Sequence, residues 1–342
     1  MGASNPSLRT LNVVLAPDSP AHRAIAPPRP DVTDEARSSD LAAGFGPQPS
    51  WNLVDNGGAT IPQLTFINCY VGGAGDWSPD DMKNIDAALS AAMSDADLQS
   101  VVEQYFVGDS VTSTMLPSIQ HGANLPGTVY KNYAEKLAEQ LHGAGVLGNA
   151  DALQSVINIM LPEGIFLSDD FSPGSGAAEH EQEEEHERRR RGVIKLDPDD
   201  AANSKEGLGG YHGNIHLAGG GSCYYAVGVY SEGDNGIVAF DEPWKNVVAT
   251  FYHELVEART DAAVEDVNRT GNGKLLGWYS DGGRGEIGDL PINASGGDLS
   301  LVFKEVQLAD GSGTVPIQLM WSNAASGPAA AAHVPAAGHV AG

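Results

Sequence analysis

Between residues 246 and 267 the apolar positions Val247, Val248, Phe251, Leu255, Ala258 and Ala262 return at three- and four-residue steps. That is the spacing of a helix with one face to bury. A second set, Thr250, His253, Glu254, Glu257 and Asp261, returns at the same steps on another face. Upstream, residues 61–71 read as a first core strand stopped by Gly72 and Gly73. Ser78, Pro79, Asp80 and Asp81 combine a capping serine, a proline at the first helical position and acids in the first turn. Met82, Ile85, Leu89 and Met93 give that helix its apolar face, and Leu98, Val101, Val102 and Tyr105 continue into a second one. The methionines there read as core filler. Residues 128–142 predict a helix stopped by Gly143, residues 151–161 a shorter helix closed by Pro162, and residues 164–168 a strand. Order resumes at residues 209–216. Residues 222–232 form the clearest strand pattern, and residues 236–240 predict a short partner. Residues 299–308 and 314–322 predict two further strands joined by a turn.

Three stretches lack periodicity and set the domain limits. Residues 1–50, rich in Pro, Ala, Ser and Asp, read as a disordered arm, and residues 324–342 as a disordered Ala/Gly/Pro tail with His333 and His339 as bystanders. Residues 171–208 read as a charged insertion between an N-terminal half, residues 51–170, and a second half, residues 209–323. Within the insertion an acidic run carrying His180 and His186 precedes Arg188 to Arg191. It suits a solvated segment that binds metal at most loosely, and the arginines suit a processing protease.

Charge narrows the function classes. Acidic residues number 45 against 19 Lys plus Arg, for a formal charge of -26. Phosphate contacts need clustered cations, so nucleic acid and anionic membrane are excluded as expected partners. No apolar run approaches the roughly 20 residues that span a bilayer. The first residues lack the pattern of a signal peptide, and localisation stays open. Cys69 and Cys223 are compatible with one disulfide or with two buried thiols.

The chemistry sits on the polar face of residues 246–267. A solvated acidic stripe is the plainest reading of that face. His253 and Glu257, however, are one turn apart and can address one metal ion, with Glu254 beside them to take a proton from a metal-bound water. This is the logic of H-E-x-x-H with Glu in place of the second His. Zinc peptidases often supply a third ligand as a carboxylate returning after the helix and a loop. Glu286 is the preferred candidate here. Asp289 is the alternative, either as ligand or as the acceptor that orients His253. Asp261, two turns from His253, reaches a shared metal only if the helix breaks. It otherwise caps the helix or holds Arg259 or Arg284. One His with two carboxylates neutralises a divalent ion, which keeps manganese, iron and calcium open beside zinc. Tyr211, Tyr252 and Tyr279 are candidate oxyanion donors. Asp281 and Asp298 give a weak calcium pattern.

The run H-E-L-x-E-A-x-T-D at residues 253–261, with G-W-Y at 277–279 and G-E-I-G-D-L at 285–290, resembles a group of bacterial zincin-like proteins. It is also similar to the plant phosphate-induced (Exordium) family. The resemblance implies an α+β, zincin-like fold: a mixed sheet from both halves, the metal helix packed beneath it and further N-terminal helices outside. It matches Tyr211-His212 to a G-x-H ahead of the metal helix, which makes His212 a further candidate ligand. It implies an extracellular protein. Two expectations follow. The leading one is a zinc-dependent hydrolase of peptide bonds acting on a peptide or protein. The other is a non-catalytic secreted interaction protein that keeps a structural metal. Substrate preference and oligomeric state are not legible.

Overall fold

The structure is a computed structural model and describes residues 13–15, 41–171, 202–280 and 283–331. It is a mixed α+β fold. The strands are β1 (Val13–Leu15), β2 (Leu53–Asp55), β3 (Gln63–Gly72), β4 (Thr112–Met115), β5 (Ile119–Gly122), β6 (Thr128–Val129), β7 (Ser155–Met160) and β8 (Phe166–Leu167). There follow β9 (Leu208–His216), β10 (Ser222–Gly228), β11 (Trp278–Ser280), β12 (Phe303–Gln307), β13 (Thr314–Gln318), β14 (Met320–Ser322) and β15 (Gly327–Ala329). The helices are α1 (Pro79–Ser94), α2 (Ala96–Glu103), α3 (Lys131–Gly143), α4 (Pro243–Thr260), α5 (Val264–Thr270), α6 (Asp289–Ala294) and α7 (Leu299–Val302).

The main sheet runs β1-β9-β10-β7-β3-β4, with β5 also on β3. The pairs β3–β4, β3–β5, β3–β7 and β7–β10 are parallel, whereas β10–β9 and β9–β1 are antiparallel. Strand alternation sorts the core into two layers. Phe66, Tyr70, Val156, Met160, Tyr224 and Ala226 point to one side and pack with α1, α2 and α4. Ile67, Cys69, Ile157, Ile159, Tyr225 and Val227 point to the other, against α3. β9 obeys the same rule. Tyr211 joins the α3 layer, so its neighbour His212, paired with Ala226, faces α4.

Several sequence expectations hold. Ser78 caps α1 by accepting from the Asp81 N–H, and Pro79 opens the helix. The strand expected at residues 61–71 is β3. Others need correction. Residues 151–161 form the central strand β7 after a single 3-10 turn at Ala152–Gln154, not a helix. The helix expected from residue 128 starts at Lys131, after the short strand β6. Residues 236–240 form no strand, because Asn246 Oδ1 accepts the N–H groups of Ala239 and Phe240 that a ladder would need. Residues 299–302 are helical before β12 begins.

The termini expected to be structureless contribute to the fold. β1 pairs with β9, and the Ala42 N–H donates to Pro328 O. β15 pairs with β14 and buries Ala329. The acidic and arginine run with His180 and His186, together with Asp281, His333 and His339, lies outside the described residues. Cys69 and Cys223 are free, buried thiols on one face with β7 between their strands. Two strand spacings, about 10 Å, exceed the reach of a disulfide. Burial pushes both thiols up to about 12.

Candidate metal centre

α4 is buried on every side from Asn246 to Thr260. Its polar face is therefore no solvated stripe. His253, Glu254 and Glu257 are 0% exposed, as are His212 on β9 and Glu286. Buried ionisable groups require partners.

The loop after β11 supplies the first. The backbone N–H groups of Gly288 and Asp289 both donate to Glu257 Oε1, at 3.1 and 3.2 Å. Gly288 is needed at this approach, since a Cβ there would lie 2.5 Å from His253 Nδ1. The second comes from β13. Gln318 Nε2 donates to the Gly288 carbonyl at 2.6 Å, which fixes its amide and turns Oε1 toward His253 Nδ1 at 2.8 Å. An amide oxygen only accepts, so the His253 ring proton is assigned to Nδ1. The lone pair is then on Nε2, 3.0 Å from Glu257 Oε1. That separation is not aligned as a hydrogen bond.

His212 is oriented in the same way from the other side. Its Nε2 lies 3.2 Å from the Asp261 carbonyl, a pure acceptor and nearer than the Glu254 carboxylate at Nδ1, so the ring proton is assigned to Nε2 and the lone pair to Nδ1. Nδ1 faces Glu254 Oε2 at 3.4 Å and Glu257 Oε2 at 3.7 Å. The Asp261 carbonyl is available because α4 ends at this residue, with φ −147° and ψ 71°.

Two trios result, His212–Glu254–Glu257 and His253–Glu257–Asp289, each with donor atoms within 4.8 Å of one another. All of the residues expected to form the site converge on this region. Glu286 is placed differently from the expectation. Its Oε1 lies 3.7 Å from His212 Nε2, and Asp289 completes the trio with His253. Asp261 holds neither arginine: its Oδ1 accepts from the Gly277 N–H at 2.9 Å. Arg259 instead donates to Thr112 O and Ser113 Oγ, while Arg284 sits over the Trp51 ring. Tyr211 and Tyr252 pack in the two hydrophobic layers, with no role as donors at the centre. Asp298 caps α7 through the Ser300 N–H. Sequence reasoning missed Gln318. It lies on a strand buried from Val315 onward, where no periodicity marks one polar residue.

Electrostatics make the cluster unusual. Burial pushes Glu257, Glu286 and Asp289 well above the usual carboxylate range and Asp261 up to about 8. After burial, what acts on Glu286 is the other carboxylates, Glu257, Asp261, Asp289 and Glu254. Burial also lowers His253 and holds His212 down at about 3, so both rings stay neutral. Among the described residues, Glu257, Asp261, Glu286 and Asp289 make no ion pair with Lys or Arg. Glu257 Oε2, Asp261 Oδ2 and both Glu286 oxygens have no hydrogen-bond partner. Neutral imidazoles and carboxylates aimed at common points, each imidazole proton held by an acceptor behind it, are a donor set that fits a divalent cation.

Comparisons of the chain with protein-family models, with curated proteins and with solved structures find no match.

Proposed function

We propose that the chain is a divalent-metal-dependent hydrolase of peptide bonds, with zinc as the leading ion. The observation that carries this reading is the oriented lone pair of His253, set by Gln318 and aimed at Glu257 Oε1. A lone pair facing a carboxylate oxygen at 3.0 Å is repulsive unless a proton or a cation lies between them; burial disfavours a charged ring, and two backbone N–H groups already donate to Glu257 Oε1 and favour its ionised form. His253, Glu257 and Asp289 would hold the ion. When bound, such an ion acidifies its water to a pKa of about 7 and polarises a carbonyl oxygen.

The chain's own residues do the rest. The Gly288 and Asp289 N–H groups fix the rotamer of Glu257. Gln318 holds the His253 tautomer. Glu254, one residue along α4 from His253, accepts the proton, as a general base must.

The test is peptide hydrolysis by protein loaded with one equivalent of zinc, beside Glu254→Gln. The expected outcome is a loss of about 10²–10⁴-fold in the variant, with the ion retained. A second reading, an interaction protein with a structural metal, is favoured by one observation: His212, His253, Glu254, Glu257 and Glu286 are all 0% exposed. Metal-loaded wild type that cleaves no peptide in a broad substrate mixture would decide for it.

A further inference from the structure

The hydrolase reading uses Glu254 but leaves His212 without a task, although His212 is oriented as carefully as His253. We infer that His212, Glu254 and Glu257 form a second divalent-cation site, joined to the first through Glu257, so that the chain takes two ions. The inference rests on the metal reading above.

Geometry supports it first. His212 Nδ1 stands 3.4 Å from Glu254 Oε2 and 3.7 Å from Glu257 Oε2. Bonds of about 2.1 Å in a tetrahedral site set ligand atoms about 3.4 Å apart, so these separations suit a shared ion. The ring proton sits on Nε2, against the Asp261 carbonyl, leaving Nδ1 to ligate. The two histidines thus address different oxygens of one carboxylate. Glu257 Oε1 meets His253, while Oε2 points toward His212 and has no hydrogen-bond partner despite complete burial. A carboxylate that bridges two ions uses one oxygen for each.

Charge points the same way. Glu254, Glu257, Asp261, Glu286 and Asp289 are all buried together. One divalent ion is the formal counterpart of two of these five carboxylates, and a second ion extends that to four. An imidazole with two carboxylates suits zinc, manganese or ferrous iron. Occupancy of this site engages Glu254, so the one-ion chain is the form with a carboxylate available to accept a proton.

The test is native mass spectrometry of full-length, metal-free protein titrated with zinc, and then with cobalt(II). Two ions per chain are expected in wild type, one in His212→Ala, one in His253→Ala and none in Glu257→Ala. Circular dichroism accompanies each variant, and the wild-type count stands alone if a variant fails to fold. One ion in wild type, retained in His212→Ala, overturns the second site and leaves the first intact. No ion in wild type overturns both. A second ion that survives His212→Ala is bound elsewhere and also overturns the assignment.

Discussion

β9 runs between two polar clusters, one built on a buried ion pair with a partly exposed fringe and one of fully buried acids, and they treat buried charge in opposite ways. On the α3 side, Lys131 pairs with Glu265 at 2.9 Å, and Arg269 bridges Glu135 and Asp266 at 3.1 and 2.9 Å. Lys131 also lies over the Tyr211 ring. The buried acid there, Glu265, has a cation from the chain itself, and Glu135 and Asp266 are half-buried around an exposed arginine. On the α4 side, no Lys or Arg among the described residues pairs with Glu257, Asp261, Glu286 or Asp289, and burial lowers both histidines. A buried charge left unpaired costs several kcal/mol, so Glu265 is matched by Lys131 as folded, whereas for the α4 acids the match is the ion proposed above. One residue step along the strand, from Tyr211 to His212, passes from one solution to the other.

The comparison predicts how each cluster fails. Chelation acts on the α4 side alone. If the ion is present at about a thousand times its Kd, removing it costs about 4 kcal/mol. For a chain of this size that lowers Tm by about 8 °C, measurable by differential scanning calorimetry, while Lys131→Met responds to chelation like wild type. Next in size, Lys131→Met strands the buried Glu265 and costs about 3 kcal/mol in denaturant unfolding, at the low end for a broken buried pair because Asn268 still donates to Glu265. Metal content stays unchanged. The double variant Lys131→Met, Glu265→Leu recovers most of that loss, since an apolar pair can replace a self-contained ion pair. No such apolar replacement rescues metal binding at Glu257.

Gln318→Leu frees the His253 tautomer without touching a ligand. Metal affinity should fall about 10–100-fold by competition with a chromogenic chelator, with the fold retained. An unchanged affinity would remove Gln318 from the site.

The smallest effect is a slope with pH. Above about pH 7 both histidines are largely neutral in the folded and the unfolded chain, so the carboxyls dominate. In the metal-free protein, burial raises Glu257, Asp261, Glu286 and Asp289 above their unfolded values. Groups with raised folded pKa contribute stability at low pH that is lost as pH rises. Chelated protein should therefore lose stability from about pH 7 to 8, by up to about 1.4 kcal/mol per pH unit through Asp261, whose carboxyl is pushed up to about 8. Stabilisation by added zinc grows over the same window, because ligands must be deprotonated. A flat profile in chelated protein would mean that the carboxyls already have partners.

How far the sequence could be read follows the same division. The α4 pattern, the Ser78 cap and the β3 run were legible because each rests on local spacing. β7 was not. Leu153, Val156, Ile157, Met160 and Leu161 satisfy helical steps as well as a continuous apolar run, and burial on both faces removes the alternation that would identify a strand. β1 is an apolar run of only three residues, Val13–Leu15, inside a stretch rich in Pro, Ala and Ser, and β15 is Gly-Pro-Ala. Neither has the length or the alternation of a strand pattern, and their pairing comes from the strands they join. At the site, His253, Glu254 and Glu257 were legible as one helical face. The choice between Glu286 and Asp289 depended on how the Gly285–Asp289 turn closes, where the Glu286 N–H donates to Asp289 Oδ2. The break of α4 at Asp261, which frees the carbonyl that orients His212, left no mark in periodicity.

Metal content tests the contrast between the clusters most directly. Elemental mass spectrometry of purified wild type and Glu257→Ala, each checked for fold by circular dichroism, should give at least one zinc or comparable divalent ion per chain in wild type and none in the variant. No bound ion in either protein, with the fold intact and zinc supplied, would contradict a metal centre at α4.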